Sequence, residues 1–104
     1  MSIGAPQYGG YNAQTASGNI TLTAGDDLIQ AIDPAGSIDV ILSDLGSTGL
    51  GKVFIDNTAD GAGEVISIKD GANGNALLAT PSTDESATCV FSEGSWVCTQ
   101  GAAD

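Results

Sequence analysis

Cys89-Val90-Phe91-Ser92-Glu93-Gly94-Ser95-Trp96-Val97-Cys98 holds both cysteines and the only tryptophan of this 104-residue chain. Glu-Gly between two strand-like runs is a turn signal, because glycine accepts the positive φ that a two-residue hairpin loop needs. With the turn at Glu93-Gly94 the register follows. Ser92 opposes Ser95, Phe91 opposes Trp96, Val90 opposes Val97 and Cys89 opposes Cys98. Side chains alternate across a strand, so Cys89, Phe91, Trp96 and Cys98 share one face and Val90 and Val97 the other. Phe91 against Trp96 is a cross-strand aromatic pair, and burial of the indole closes one end of a core. Cys89 and Cys98 fall on a non-hydrogen-bonded pair, where strands approach most closely. That spacing accommodates a cross-strand disulfide or two reduced, buried thiols acting as small hydrophobes.

Working outward from the hairpin, the chain reads as short strands punctuated by turns. Asn19-Ile-Thr-Leu-Thr23 alternates apolar and polar, and so does Ser37-Ile-Asp-Val40 before it runs into Ile41-Leu42. Glu64-Val-Ile-Ser-Ile-Lys69 alternates on Ile66 and Ile68, or on Val65 in the slipped register. Leu28-Ile-Gln-Ala-Ile32 and Lys52-Val-Phe-Ile-Asp56 are apolar runs of strand length. Asp26-Asp27 could open a helix over the first of them, but Pro34 would end it within two turns, so strand is preferred. Ala76-Leu-Leu-Ala79 is a further short apolar segment. Turn signals separate these runs at Gly25-Asp26-Asp27, Asp33-Pro34-Ala35-Gly36, Gly46 to Gly51, Asp60-Gly61, Asp70-Gly71 and Asn73-Gly74. The pattern predicts an all-β protein, a small antiparallel β-sandwich or β-barrel over residues 19–104, with no internal repeat of solenoid period.

Residues 1–18 have a different grain. They are uncharged, rich in Gly, Ala, Gln, Ser and Asn, and broken by Pro6 and Gly9-Gly10. They read as an extended N-terminal arm. Tyr8 and Tyr11, with Pro6 and Gln7 beside them, are its candidate partner contacts, since tyrosine gives large contact area at low entropic cost. The opening residues Met1 to Pro6 lack the basic and apolar regions of a signal peptide, so an intracellular translation product is expected.

Composition narrows the function classes. Thirteen carboxylates stand against Lys52 and Lys69, with no Arg and no His, for a net charge of −11. Nucleic-acid binding and docking on anionic membranes both need basic residues, and neither is expected. No apolar run approaches the roughly 18 residues of a membrane-spanning helix, so none is predicted. Without His, the commonest general base and metal ligand is missing. No phosphate-binding glycine loop is present, and two cysteines without His do not make a zinc site. An enzyme is not expected, nor is a cofactor. The best metal candidate is Asp56-Asn57-Thr58-Ala59-Asp60-Gly61-Ala62-Gly63-Glu64, which places Asp56, Asp60 and Glu64 as oxygen ligands on a calcium-loop template. Position twelve, where a bidentate Glu belongs, is Ser67. A tight turn stabilised by its own Asp and Asn side chains fits better.

The order of pieces also carries a resemblance. Asn19-Ile-Thr-Leu-Thr23, then Asp33-Pro-Ala-Gly-Ser-Ile-Asp-Val-Ile-Leu42, then Gly51-Lys-Val-Phe-Ile-Asp-Asn57, Ile66-Ser-Ile-Lys-Asp-Gly71 and a closing Gly94-Ser-Trp-Val97 resemble the small β-modules of tailed-bacteriophage virions, especially capsid decoration (cement) proteins. Related modules occur in tail fibres. The resemblance covers about residues 19–100 and implies a non-enzymatic structural protein, made in the host cytoplasm. Such a protein binds the outer surface of a phage capsid through the major capsid protein, commonly as a trimer, and stabilises the shell. A tail-fibre or receptor- or glycan-binding β-module is the alternative, and a small secreted β-domain the second. On this reading the hairpin of Cys89, Phe91, Trp96 and Cys98 holds the fold, and the arm does the binding.

Overall fold

The computed structural model describes residues 10–23, 25–43, 51–61 and 63–101. Among these residues nine strands make up the regular structure, and there is no helix. They are β1 (Tyr11–Ala16), β2 (Ile20–Leu22), β3 (Ile29–Pro34), β4 (Ile38–Leu42), β5 (Lys52–Asn57), β6 (Ile66–Asp70), β7 (Ala76–Ala79), β8 (Ser86–Ser92) and β9 (Ser95–Gly101). Every apolar run singled out in the sequence is a strand, including Ile29–Pro34, where a helix is the competing reading.

The strands form two sheets. One has five strands in the order β1-β3-β5-β8-β9, and the other has four in the order β2-β4-β6-β7. From β1 to β6 the chain changes sheet at every turn, and each strand from β1 to β4 pairs in parallel with the strand two places on. Three successive β-β units therefore stack as coils. Antiparallel pairing is confined to β5–β8, β8–β9 and β6–β7. The all-β expectation holds, but the antiparallel sandwich is corrected to two mixed sheets. Alternation with period two reports one buried face; it carries no information on the direction of the neighbour. Turns that read as hairpin loops instead carry the chain across to the facing sheet.

The coils are unequal, which hides the repetition. In one sheet the register steps from Tyr11 to Ile29 and then, by a longer stride, from Ile29 to Phe54. In the other it steps from Ile20 to Val40 and then, again by a longer stride, from Val40 to Ile68. No fixed period survives such insertions.

Residues 11–16, assigned from the sequence to the arm, are a full strand of the five-stranded sheet. Uncharged polar residues alternating with small ones are compatible with either state, and pairing with β3 decides it. Pro34 closes β3 where its pairing with β5 has already stopped at Ile32↔Asn57, so its missing N–H removes no ladder bond.

Between the sheets lies a core built mainly of β-branched residues. Ile32, Val53, Ile55, Ala87, Cys89 and Trp96 of one sheet pack with Leu22, Ile38, Val40, Leu42, Ile66 and Ile68 of the other. Branched side chains fit the pleated surface well, and few aromatics are needed when Ile and Val fill the space. Ile66 and Ile68 are fully buried, which settles the register of β6 in favour of these two over Val65.

Candidate functional site

The β8–β9 hairpin has the register read from the sequence, from Ser92↔Ser95 through Cys89↔Cys98. Glu93 and Gly94 take φ values of 53° and 86°, the positive pair of a type I′ turn, which matches the twist of the flanking strands. Cys89 and Cys98 are joined as a disulfide across the closest type of pair, with their Cα atoms 4.0 Å apart. The Phe91 and Trp96 rings meet edge to face at 5.4 Å between centroids. Trp96 is buried, and its indole N–H donates to the Ser43 carbonyl at 2.9 Å. An exposed sugar-stacking platform at this tryptophan is therefore ruled out by its burial.

The edge of this hairpin is closed by a turn from the other sheet. Because Phe91 and Trp96 form a non-hydrogen-bonded pair, the Trp96 N–H points away from β8. It donates to Asp70 Oδ2 at 3.1 Å. The buried Asp70 carboxylate also accepts from the Ala72 N–H at 2.9 Å and from Asn73 Nδ2 at 3.0 Å. Asn73 Nδ2 in turn reaches the Gly94 carbonyl at the tip of the hairpin at 3.0 Å. Gly71 is required between these residues: its N–H donates to the Leu42 carbonyl at 2.7 Å, and a Cβ there would sit 2.5 Å from that same oxygen. Further along β9, the Thr80 N–H donates to Gln100 Oε1 at 2.8 Å, joining the two sheets again.

A second polar hub lies at Asn57, which is fully buried. Its Nδ2 donates to the carbonyls of Glu64 at 2.8 Å and Pro81 at 3.0 Å, and its Oδ1 accepts from the Ala59 N–H at 3.0 Å. Asn57 therefore serves the fold of this loop. Asp56, Asp60 and Glu64, the residues set on the calcium template, do not gather, and no group of three potential metal ligands stands together among the described residues. Near this hub Glu85 accepts from the Ser82 N–H at 2.8 Å, the Ser82 hydroxyl at 2.9 Å and Gln100 Nε2 at 3.2 Å. Those donors, the Ser82 N–H foremost, hold its carboxyl below the ordinary value of 4.5, against a smaller opposing effect of burial.

The opposite side of the five-stranded sheet has another character. Asn12 Nδ2 and Gln14 Nε2 both donate to Oε1 of the buried Gln30, at 3.1 and 3.2 Å, while Gln30 Nε2 donates to the Asp27 carbonyl at 2.9 Å. This amide ladder fixes the inner face of β1. Tyr11, Ala13 and Thr15 point the other way and are exposed, Tyr11 at 64%. No charged side chain precedes Asp26, so all thirteen carboxylates lie beyond β1 and β2. On the outer face of the four-stranded sheet, Lys69 pairs with Asp39 at 3.0 Å.

Of the residues expected to touch a partner, Tyr11 is thus an exposed strand residue at a sheet edge, while Pro6, Gln7 and Tyr8 lie outside the described residues. Cys89, Phe91, Trp96 and Cys98 come together on one inner face, as read. Nothing in the sequence marks Asn57, Asp70 and Gln30 as hubs. Asp70-Gly71 and Asn73-Gly74 read as turn signals, but nothing local indicates that Asp70 bonds an amide 26 residues away. Comparison with family models, curated proteins and solved structures returns no match.

Proposed function

We propose that this chain is a non-enzymatic structural protein of a tailed-phage virion that binds the outer surface of the capsid and stabilises it. The observation carrying this reading is the division of charge along the chain. An uncharged N-terminal stretch leads into an exposed tyrosine at a sheet edge, and the rest of the domain carries the net −11. A neutral face can lie on a neighbouring protein without charge desolvation, while an acidic body keeps densely packed copies apart. The disulfide and the two buried polar hubs add the rigidity that a stabilising element must have. The resemblance in residues 19–100 names the partner, the major capsid protein, and an oligomeric, commonly trimeric, form.

The test is co-sedimentation of the full chain with phage heads assembled from the major capsid protein encoded nearest its gene. Saturable binding in many copies, with a raised disruption temperature of the heads, is expected. Absence of binding sinks the reading. Removal of residues 1–9, which leaves β1 intact, should weaken attachment without unfolding the domain; a cut at residue 18 would delete a strand and is not a clean test.

One observation favours the tail-fibre alternative. Stacked coils capped at one end by β7 to β9 present β1 and β2 at the other, where a further coil of a longer fibre would stack. Glycan or receptor binding without capsid binding would select it.

A further inference from the structure

We infer that the outer edge of β1 pairs with the same edge of a second copy, joining two five-stranded sheets about a two-fold axis at Ala13. It departs from the proposed function at two points, a dimer in place of a trimer and Tyr11 facing a second copy, and its test does not depend on whether the chain binds a capsid.

The hydrogen-bond pattern of β1 sets up the pairing. The Ile29 N–H donates to the Gly10 carbonyl at 3.0 Å and the Ala35 N–H to the Ala16 carbonyl at 2.9 Å. In a parallel ladder every second residue bonds a given neighbour. Gly10, Asn12, Gln14 and Ala16 therefore bond β3, and the N–H and C=O groups of Tyr11, Ala13 and Thr15 point outward. Among the described residues, no strand pairs with that edge.

Such an edge is a template for another strand, and proteins usually blunt it with Lys, Pro, a bulge or an inward-facing charge. β1 has none of these over Tyr-Asn-Ala-Gln-Thr-Ala. The other edge of the same sheet is managed: on β9 the outward N–H of Trp96 is capped by Asp70, and Gln100 is bonded to Thr80. One edge carries dedicated polar contacts at Trp96 and Gln100, whereas β1 at the other is uncharged and, among the described residues, unpaired.

The occupant that fits best is β1 itself. Two copies placed antiparallel with Ala13 opposite Ala13 also bring Tyr11 opposite Thr15 and Thr15 opposite Tyr11. All three pairs then consist of outward-pointing groups, giving about six backbone hydrogen bonds. Small alanines meet at the axis, and each exposed tyrosine ring gains a cross-strand threonine. Residues on the inner face also match, Asn12 opposite Gln14. An isologous contact of this kind closes on itself and stops at two copies. The contact strand carries no charge of its own, so pairing places no carboxylate of β1 between two chains of net charge −11.

The experiment is light scattering after size exclusion over a concentration series, on the full chain and on Ala13→Pro. That substitution removes only an outward N–H and leaves the bonds to β3 in place. The expected result is a wild-type particle of twice the 10.3 kDa chain mass, and a single-chain mass for A13P with unchanged far-ultraviolet circular dichroism. Should A13P fail to fold, Ala13→Glu serves, since its exposed side chain is tolerated in one chain but sets two carboxylates together at the axis. Amide exchange in the wild type should protect Tyr11, Ala13 and Thr15 as well as Asn12, Gln14 and Ala16. A monomeric or trimeric wild type, a dimer that survives both substitutions, or free exchange at Tyr11, Ala13 and Thr15 would overturn the proposal.

Discussion

The backbone N–H of Trp96 donates to the carboxylate of Asp70, at 3.1 Å, and so ties the hairpin of one sheet to the β6–β7 turn of the other. A carboxylate does here what a neighbouring strand would do for an edge amide. Its two further donors, Ala72 N–H and Asn73 Nδ2, spread the charge over three hydrogen bonds and offset the desolvation of a buried group. Asp70→Ala removes all three acceptor contacts and leaves donors buried. A loss of about 3 kcal/mol is expected, seen as a fall of at least about 10 °C in Tm by circular dichroism. A change under about 2 °C would show that the contact is incidental.

Asn57→Asp should be at least as damaging as Asn57→Ala. The alanine leaves two carbonyls and one N–H without partners, a cost of about 2–4 kcal/mol. The aspartate keeps the shape but turns an oxygen toward the Glu64 and Pro81 carbonyls, 2.8 and 3.0 Å from the present amide nitrogen. Urea unfolding of the two variants gives the order directly; an aspartate milder than the alanine would contradict this geometry.

The disulfide should stabilise the domain without being needed for its topology. Cross-linking across nine residues of sequence restricts the unfolded chain by about 2–3 kcal/mol. The double variant Cys89→Ala, Cys98→Ala is expected to unfold at lower urea while keeping its β-sheet spectrum. The aromatic pair, Asp70 and the Ser43 carbonyl still hold Trp96 in place. Loss of the native spectrum in the absence of denaturant would show the opposite.

Acid should unfold the wild type more steeply than Glu85→Gln. Glu85 titrates below its ordinary value of 4.5 in the folded chain because Ser82 and Gln100 donate to it. A depressed carboxyl contributes stability that is present above the unfolded value and disappears as pH falls through the folded one. Its share is therefore intact at neutral pH and is lost below 4.5. Plotting Tm against pH for both proteins should show a shallower decline for E85Q in that window, and parallel curves would dismiss the role.

What is legible in the sequence depends on how local each signal is. The hairpin's register is legible, because a two-residue Glu-Gly turn fixes pairing partners that are close in the chain, while the bonding of Cys89 to Cys98 is not. Alternation and apolar runs mark Val40 and Ile32, and offer Ile66 and Ile68 with Val65 as the slipped alternative. Strand direction does not. Parallel partners such as Ile29 and Phe54 are far apart in the chain, and nothing in either segment names the other. Tyr11–Ala16 reads as arm because its inner face is held by amides, Asn12 and Gln14 on Gln30, in place of the apolar residues that mark a strand. Asp70 and Asn57 look like turn residues, which they are. Their reach across the molecule follows from the fold and cannot precede it.

The stacking of coils from β1 to β6 constrains the order in which the molecule can form. Among the described strands, only β6–β7 and β8–β9 pair neighbours in the chain, and both lie in its C-terminal half. Hairpins of this kind close in about 1–10 μs, whereas pairing of distant segments waits on loop closure and search. The β8–β9 hairpin offers β8 as a template for β5, β5 then receives β3, and β3 receives β1. Of these strands, the one that leaves the ribosome first is thus the last to find its place. For most of its synthesis the segment before Asp26 has no finished sheet to join, and a sequence there without charge or long apolar runs can wait in water until β8 and β9 arrive.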